Sequence, residues 1–118
     1  LMKCAQKALK LGPDFIIIKK GEHGALLFTK EGKHFNAPGY PLAVLKDPTG
    51  CGDSFAGGFI GYLAKLKNFD EKDIRKAIVY GSTIASFNAE DFSMERIDKL
   101  TEQEIESRFA EFRAIREF

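Results

Sequence analysis

Apolar residues along the chain follow two different periods, one typical of strands and the other typical of helices. Residues 14–19 (Asp-Phe-Ile-Ile-Ile-Lys) are β-branched and apolar on both faces, which is typical of a strand buried inside a covered sheet. Further short apolar runs are separated by Gly-containing turns at 21–24 and 30–33. The pattern therefore predicts strands over residues 14–19, 25–28, 34–37 and 42–46, joined by tight turns.

The remaining apolar residues recur at three- and four-residue steps. This spacing predicts a short opening helix ended by Gly12-Pro13, helices over 53–66 and 71–87, and a last helix that opens with the capping box Thr101-Glu102-Gln103-Glu104. Helix 53–66 carries Gly57, Gly58 and Gly61, and each Gly costs about 1 kcal/mol relative to Ala. We therefore expect close packing against a sheet or a ligand at these glycines. The last helix has an apolar stripe of Ile105, Phe109, Phe112 and Ile115, with Arg108, Glu111 and Arg116 outside it.

Composition narrows the classes of function. The chain has 118 residues, the length of one small domain or of a piece of a larger one. With 18 Lys+Arg and 17 Asp+Glu, its net charge of +1 argues against a dedicated nucleic-acid or membrane-surface binder. Two cysteines without a CxxC pair suggest neither a disulfide scaffold nor a zinc site, so a reducing, cytoplasmic location fits best. No apolar run is longer than that of Phe15 to Ile18, which is too short to span a bilayer.

Residues 47–58 (Asp-Pro-Thr-Gly-Cys-Gly-Asp-Ser-Phe-Ala-Gly-Gly) carry the most informative pattern. A strand end leads through a glycine-rich turn into a helix start, and Gly50 and Gly52 allow successive N–H groups to point at one anion. Asp53 lies at the mouth of that site, where a carboxylate serves as a general base for an attacking hydroxyl. An alternative stays open, in which Asp53 is simply a helix N-cap and the glycines only make a turn. The pattern is neither a Walker A loop nor a dinucleotide fingerprint.

Residues 47–58 closely resemble the second signature of the PfkB, or ribokinase-like, family of carbohydrate and nucleoside kinases. That signature commonly reads Asp-Thr-Thr-Gly-Ala-Gly-Asp-x-Phe-x-x-Gly. This chain departs from it at Pro48 and Cys51, and neither residue removes a backbone donor from the turn formed by residues 50–53 (the 50–53 turn). Residues 16–25 are similar to the strand and Gly-x-x-Gly turn that lie beside the nucleotide in the family. The resemblance covers most of residues 5–100.

The resemblance implies an α/β fold, the C-terminal part of a three-layer α/β/α ribokinase-like architecture, with strands over 14–46 and then helices that pack on the sheet. It implies that Asp53 is the catalytic base and that the amides of Gly50, Cys51 and Gly52 form an anion hole, with the Cys51 sulfur a small spacer. It assigns Gly21, Gly24, Thr49 and Ser82 to the nucleotide, with Asp47 near a metal ion.

The resemblance also implies ATP and Mg²⁺ as cofactors and a hydroxyl group of a sugar or nucleoside as acceptor. Some members bind a monovalent cation between the 50–53 turn and a later loop. Here that later loop is expected at 88–93 and lacks the usual Gly, so the cation stays open.

Family members are longer than this chain. We therefore expect residues 1–118 to be a single partial domain, whose missing N-terminal half and lid belong to the same or a separate chain, with a homodimer of the full-length protein open. An alternative function is a non-catalytic nucleotide-binding or subunit-interaction module that keeps the kinase scaffold.

Overall fold

The computed structural model describes residues 2–41, 50–90 and 100–117. The chain divides into two compact units, Leu1–Gly39 and Tyr40–Phe118. The predicted strand at 42–46 lies outside the described residues. Within the described ranges, every helix is too short or too polar to cross a membrane.

The first unit is a short helix followed by a three-stranded antiparallel sheet. Its elements are α1 (Met2–Leu9), β1 (Phe15–Lys19), a single 3-10 turn (Gly21–His23), β2 (Ala25–Thr29) and β3 (His34–Ala37). The strand order is β1-β2-β3, and Ile17 pairs with Leu27, which in turn pairs with Phe35. The small core of the unit lies around β2, because four of its five residues are buried.

The strand predicted over residues 14–19 is found as β1, but it is less buried than a strand inside a covered sheet. Phe15 through Ile18 are each half-buried and Lys19 is exposed. Among the described residues, β1 has a hydrogen-bonded neighbour on one side, β2, and the pairing is antiparallel. An apolar run indicates that both faces of a strand can be covered. Which helices and strands cover it depends on the rest of the fold.

The second unit contains three helices, α2 (Cys51–Ala64), α3 (Glu71–Glu90) and α4 (Glu102–Arg116). The capping box predicted at Thr101 is confirmed, because Thr101 Oγ1 accepts from the Glu104 N–H and the Glu104 carboxylate accepts from the Thr101 N–H. A similar reciprocal pair opens α3, where Asp70 Oδ1 accepts from the Asp73 N–H at 3.0 Å and Asp73 Oδ2 accepts from the Asp70 N–H at 3.1 Å. The hydrogen bond from the Asp73 N–H is the main reason that the pKa of Asp70 is lowered.

Helices α2 and α3 pack closely at two facing glycines. A Cβ atom on Gly58 would lie 3.0 Å from the Gly81 Cα atom, and one on Gly81 would lie 2.7 Å from the Phe55 carbonyl oxygen. Close packing is therefore found at Gly58, but its partner is helix α3 and not the predicted sheet or ligand. At Gly57 and Gly61 a Cβ atom would have no neighbour within 4 Å among the described residues, so packing there stays a prediction. Helical periodicity identified the buried stripe but not which glycines lie on it.

Arg108 joins α4 to the end of α3, although the pattern predicted it outside the apolar stripe. Its side chain is 14% exposed and pairs with Glu90 at 2.5 Å. Its guanidinium donates to Ser86 Oγ at 3.1 Å and lies 3.8 Å from the centre of the Phe87 ring and 4.4 Å from that of Tyr40. The stem and flat guanidinium of an arginine allow it to be buried among rings while its charge is paired. Conversely, Ile115, which was predicted on the apolar stripe, is 46% exposed.

The hydroxyl of Tyr40 donates a hydrogen bond to the carboxylate of Glu111 on α4. This bond, with a smaller contribution from burial, raises the pKa of Tyr40 above its ordinary value of 10.0, and the nearby Arg108 opposes the shift. The Tyr40 ring also packs on the buried Phe112, with 5.3 Å between ring centres. The contacts of Tyr40 and Arg108 therefore hold α4 against the rest of the second unit.

Candidate active site

At the N-terminus of α2, the first backbone N–H groups have no hydrogen-bond partner within the helix. The helix begins at Cys51, two residues earlier than the apolar spacing predicted, and Gly50 is its N-cap with a left-handed φ of 84°. The first intrahelical bond that leads back to the cap runs from the Ser54 N–H to the Gly50 carbonyl at 2.9 Å. The N–H groups of Cys51, Gly52 and Asp53 precede it and so have no partner in the helix, and the Gly50 cap has no side chain to offer them. Three amides and the positive end of the helix dipole thus meet at the 50–53 turn, an arrangement that is suited to an anion.

Asp53 is the third residue of α2, and its side chain is exposed. The alternative in which Asp53 is the helix N-cap is wrong, because Gly50 occupies that position. The Asp53 carboxylate therefore does not accept a hydrogen bond from the first N–H groups of the helix, as the side chain of an N-cap residue would. It lies on the same helical turn as the three amides, and it is exposed.

Residues of α3 lie directly behind the 50–53 turn. The Cys51 thiol donates to the Ala85 carbonyl and accepts from Asn88 Nδ2, with both distances at 3.6 Å. Asn88 is fully buried, and its Nδ2 atom would be 3.3 Å from a Cβ atom on Gly50. The Cys51 sulfur is therefore part of a polar contact between two helices rather than an inert spacer.

Sequence reasoning missed Asn88, because residues 88–93 were expected to form a loop. The structure continues α3 through Glu90, which places Asn88, Ala89 and Glu90 on the helix, and residues 91–93 lie outside the described residues. A signal was present in the spacing, because Ile74, Gly81 and Asn88 are buried and recur at seven-residue steps on one face of α3. A polar residue on an apolar stripe indicates a buried hydrogen bond.

Gly21 and Gly24 lie in the first unit and differ in how closely other backbone atoms approach them. Gly24 has a φ of 95°, and a Cβ atom there would lie 2.0 Å from the Ala37 carbonyl oxygen. Gly21 has a φ of 58°, and a Cβ atom there would have no described neighbour within 4 Å. The Lys20 N–H donates to the Gly24 carbonyl at 2.7 Å and closes the turn. Gly24 is thus required by the close passage of its own chain at the end of β3.

The other predicted site residues have less definite surroundings. Ser82 is half-buried on α3, one residue after Gly81 and one helical turn before Ala85. Asp47 and Thr49 lie outside the described residues, so the metal role of Asp47 and the nucleotide contact of Thr49 stay predictions. Across residues 2–41, 50–90 and 100–117, no three His, Cys, Asp or Glu side chains gather into a group that could hold a metal ion.

Comparison with known proteins identifies relatives of this chain. Residues 1–97 match the family model described as pfkB family carbohydrate kinase. The chain is similar to a 5-dehydro-2-deoxygluconokinase of Bacillus subtilis, with 41% identity over 73 residues, and to an aminoimidazole riboside kinase of Salmonella typhimurium, with 42% identity over 69 residues. These matches cover 62% and 58% of this chain. The chain spans about a fifth of the length of each relative (21%).

A solved structure confirms the likeness in three dimensions. The crystal structure of aminoimidazole riboside kinase from Salmonella enterica, complexed with aminoimidazole riboside and an ATP analog, matches with a TM-score of 0.78 and 27% identity. The match covers 92% of this chain and 35% of that one, so the described sheet and helices correspond to part of an α/β ribokinase-like fold. The family model accounts for most of the 118 residues, and the chain belongs to the pfkB family of carbohydrate kinases.

Proposed function

We propose that the protein transfers the γ-phosphoryl group of ATP to a hydroxyl group of a sugar or nucleoside, and that this chain supplies the anion hole and the general base. The observation that carries the proposal is the start of α2. Three amides without helical partners and an exposed carboxylate share one turn, with a left-handed glycine as the cap. Family membership makes phosphoryl transfer the chemistry to expect of this arrangement.

The free amides at the 50–53 turn are suited to the negative charge of a transferring phosphoryl group. Amides at a helix start are fixed before the substrate arrives, so they do not reorganise as charge shifts during the reaction. Loss of one such donor in other enzymes lowers kcat by about 100- to 1,000-fold. The Gly50, Cys51 and Gly52 amides are proposed to bind the phosphoryl oxygens and stabilise the transition state, and two of them, those of Cys51 and Gly52, belong to the three amides without a helical partner.

Asp53 accepts the proton of the acceptor hydroxyl. As the hydroxyl oxygen bonds to the γ-phosphorus, the bond from that phosphorus to the β-phosphate bridging oxygen breaks and ADP leaves. The proton of the hydroxyl passes to the Asp53 carboxylate, so the attacking oxygen does not become positively charged. The exposure of Asp53 on the turn of the free amides is what this step needs.

Magnesium enters this proposal as part of the substrate, MgATP, with the phosphate oxygens as its main ligands. Gly21, Gly24, Thr49 and Ser82 are proposed to contact the nucleotide, and Asp47 is proposed to lie near the metal. Because the chain spans about a third of the solved relative (35%), we assign the acceptor contacts to parts of the kinase fold that it does not cover, on the same or a separate chain. A cytoplasmic location is part of the same proposal.

The test is product formation by the complete protein that contains this sequence. The protein is incubated with MgATP and a panel of hydroxymethyl sugars, sugar acids and nucleosides, including the two compounds after which the relatives are named. ADP release and the phosphorylated product are both measured. Product with at least one acceptor is the expected result. Saturable MgATP binding without product from any acceptor would favour the non-catalytic module instead.

A matched pair of variants links the activity to the 50–53 turn. Gly52→Val adds a branched side chain beside the free amides and is expected to lower kcat or weaken MgATP binding. Gly61→Val places the same side chain on the same helix, where the described structure leaves open space. Equal kinetics for the two variants would contradict the proposed anion hole.

A further inference from the structure

The 50–53 turn rests on a buried polar contact that the catalytic proposal does not use. Asn88 is fully buried on α3, although asparagine is a costly residue to bury without hydrogen bonds. Its side-chain amide donates to Cys51 Sγ at 3.6 Å. The same nitrogen would be 3.3 Å from a Cβ atom on Gly50, so the side chain reaches both residues that start α2.

Gly50 and Cys51 determine where the free amides of the 50–53 turn point. Gly50 has a left-handed φ of 84°, and glycine can leave that conformation at little cost. Cys51 contributes the first of the free amides, and its thiol is held between the Ala85 carbonyl and the Asn88 amide. A side chain fixed on α3 therefore limits the motion of an intrinsically flexible turn.

We propose that Asn88 is a positioning residue, which holds Gly50 and Cys51 so that the amides of the 50–53 turn converge on the transferring phosphoryl group. This inference rests on the proposed function for its catalytic consequence. The signature that residues 47–58 resemble has Ala at the position of Cys51, and an alanine side chain cannot accept the Asn88 hydrogen bond. Cys51 and Asn88 thus act together as a pair that fixes the turn in this protein.

The first measurement reads the turn directly and does not depend on activity. The Ser54 N–H bonds to the Gly50 carbonyl at 2.9 Å, so its hydrogen exchange reports whether Gly50 keeps its conformation. In Asn88→Ala, the Ser54 amide is expected to exchange about 10-fold faster relative to the mid-helix amide of Phe59. An unchanged exchange ratio would overturn the inference.

The matched control is Thr83→Ala on the same helix. Thr83 is fully buried like Asn88, but its hydroxyl donates within α3, to the Val79 carbonyl at 2.8 Å. Its truncation should lower stability while the exchange ratio of Ser54 to Phe59 stays at its wild-type value. If Thr83→Ala and Asn88→Ala changed that ratio equally, Asn88 would be an ordinary packing residue and the inference would be wrong.

The second measurement separates kcat from nucleotide affinity in the complete protein. Asn88→Ala is expected to lower kcat by about 10- to 100-fold, because misplacing a catalytic group by about 1 Å has effects of this size. The MgATP affinity should change little. The double variant Asn88→Ala/Cys51→Ala should be no slower than Asn88→Ala alone, because the two residues act as one pair. Additive losses, or a wild-type kcat for Asn88→Ala, would contradict the inference.

The two measurements distinguish failure of the inference from failure of the proposed function. A wild-type protein that phosphorylates no acceptor would contradict the proposed function, and the exchange ratio of Ser54 would then decide the role of Asn88 by itself. An active protein with unchanged exchange and kcat in Asn88→Ala would contradict the inference and leave the proposed function intact.

Discussion

The facing glycines of α2 and α3 give a prediction about stability that the structure makes quantitative. In Gly81→Ala, the new methyl group would lie 2.7 Å from the Phe55 carbonyl oxygen and 3.2 Å from an atom of the Phe55 ring. That ring cannot move freely, because Phe55 is buried and stacks on Phe59 with 6.2 Å between ring centres. The helices must therefore separate. Overpacking of this kind costs about 1–3 kcal/mol, and the better helix propensity of Ala returns about 1 kcal/mol.

Gly57→Ala is the matched control, because it makes the same chemical change in the facing helix. A Cβ atom there meets no described atom within 4 Å, so the propensity gain of about 1 kcal/mol should appear without a packing cost. Urea unfolding followed by far-UV circular dichroism would measure both variants against the wild type. We expect Gly81→Ala to lose about 0–2 kcal/mol, the packing cost less the propensity gain. A Gly81→Ala protein at least as stable as Gly57→Ala would refute the close approach of the two helices.

Three further predictions concern single residues. Gly24→Ala should lower the thermal midpoint far more than Gly21→Ala, because only Gly24 faces a backbone atom at 2.0 Å; equal losses would contradict that geometry. Asp70→Ala should lower the midpoint at pH 7, and the difference should shrink as the pH falls from the ordinary Asp pKa of 3.8 through the lowered pKa of Asp70 in the folded protein, because the carboxylate loses its stabilising contribution as it becomes protonated there. Tyr40→Phe should destabilise the fold at neutral pH and approach the wild type above pH 10.0, because the pKa of Tyr40 is raised by its bond to Glu111; a constant difference across that range would contradict this role.

Local features of the fold were predictable from the sequence because they depend on neighbouring residues. The turn glycines, the capping box at Thr101 and the helical stripe from Ile74 to Gly81 were all found where predicted. Features that depend on distant parts of the chain were not. Periodicity placed Arg108 outside the apolar stripe of α4, but the ion pair with Glu90 on α3 draws it into the interior.

In the candidate site, too, local features were predictable from the sequence and contacts between distant residues were not. The glycines and Asp53 of the 50–53 turn were identified from their order, because a helix start and its free amides are local features. Asn88 was missed because its role depends on a contact with Cys51, 37 residues away in sequence. The sequence pattern of one helix does not reveal which residue of another helix lies behind it.

The most direct test of the central claim is the turnover of Asp53→Asn in the complete protein. Asparagine has nearly the same shape but cannot accept a proton from the acceptor hydroxyl, so kcat should fall by about 100- to 10,000-fold. MgATP affinity, measured by calorimetric titration of both proteins, should change little, because the free amides of the 50–53 turn remain. A kcat near that of the wild type would contradict the assignment of Asp53 as the general base.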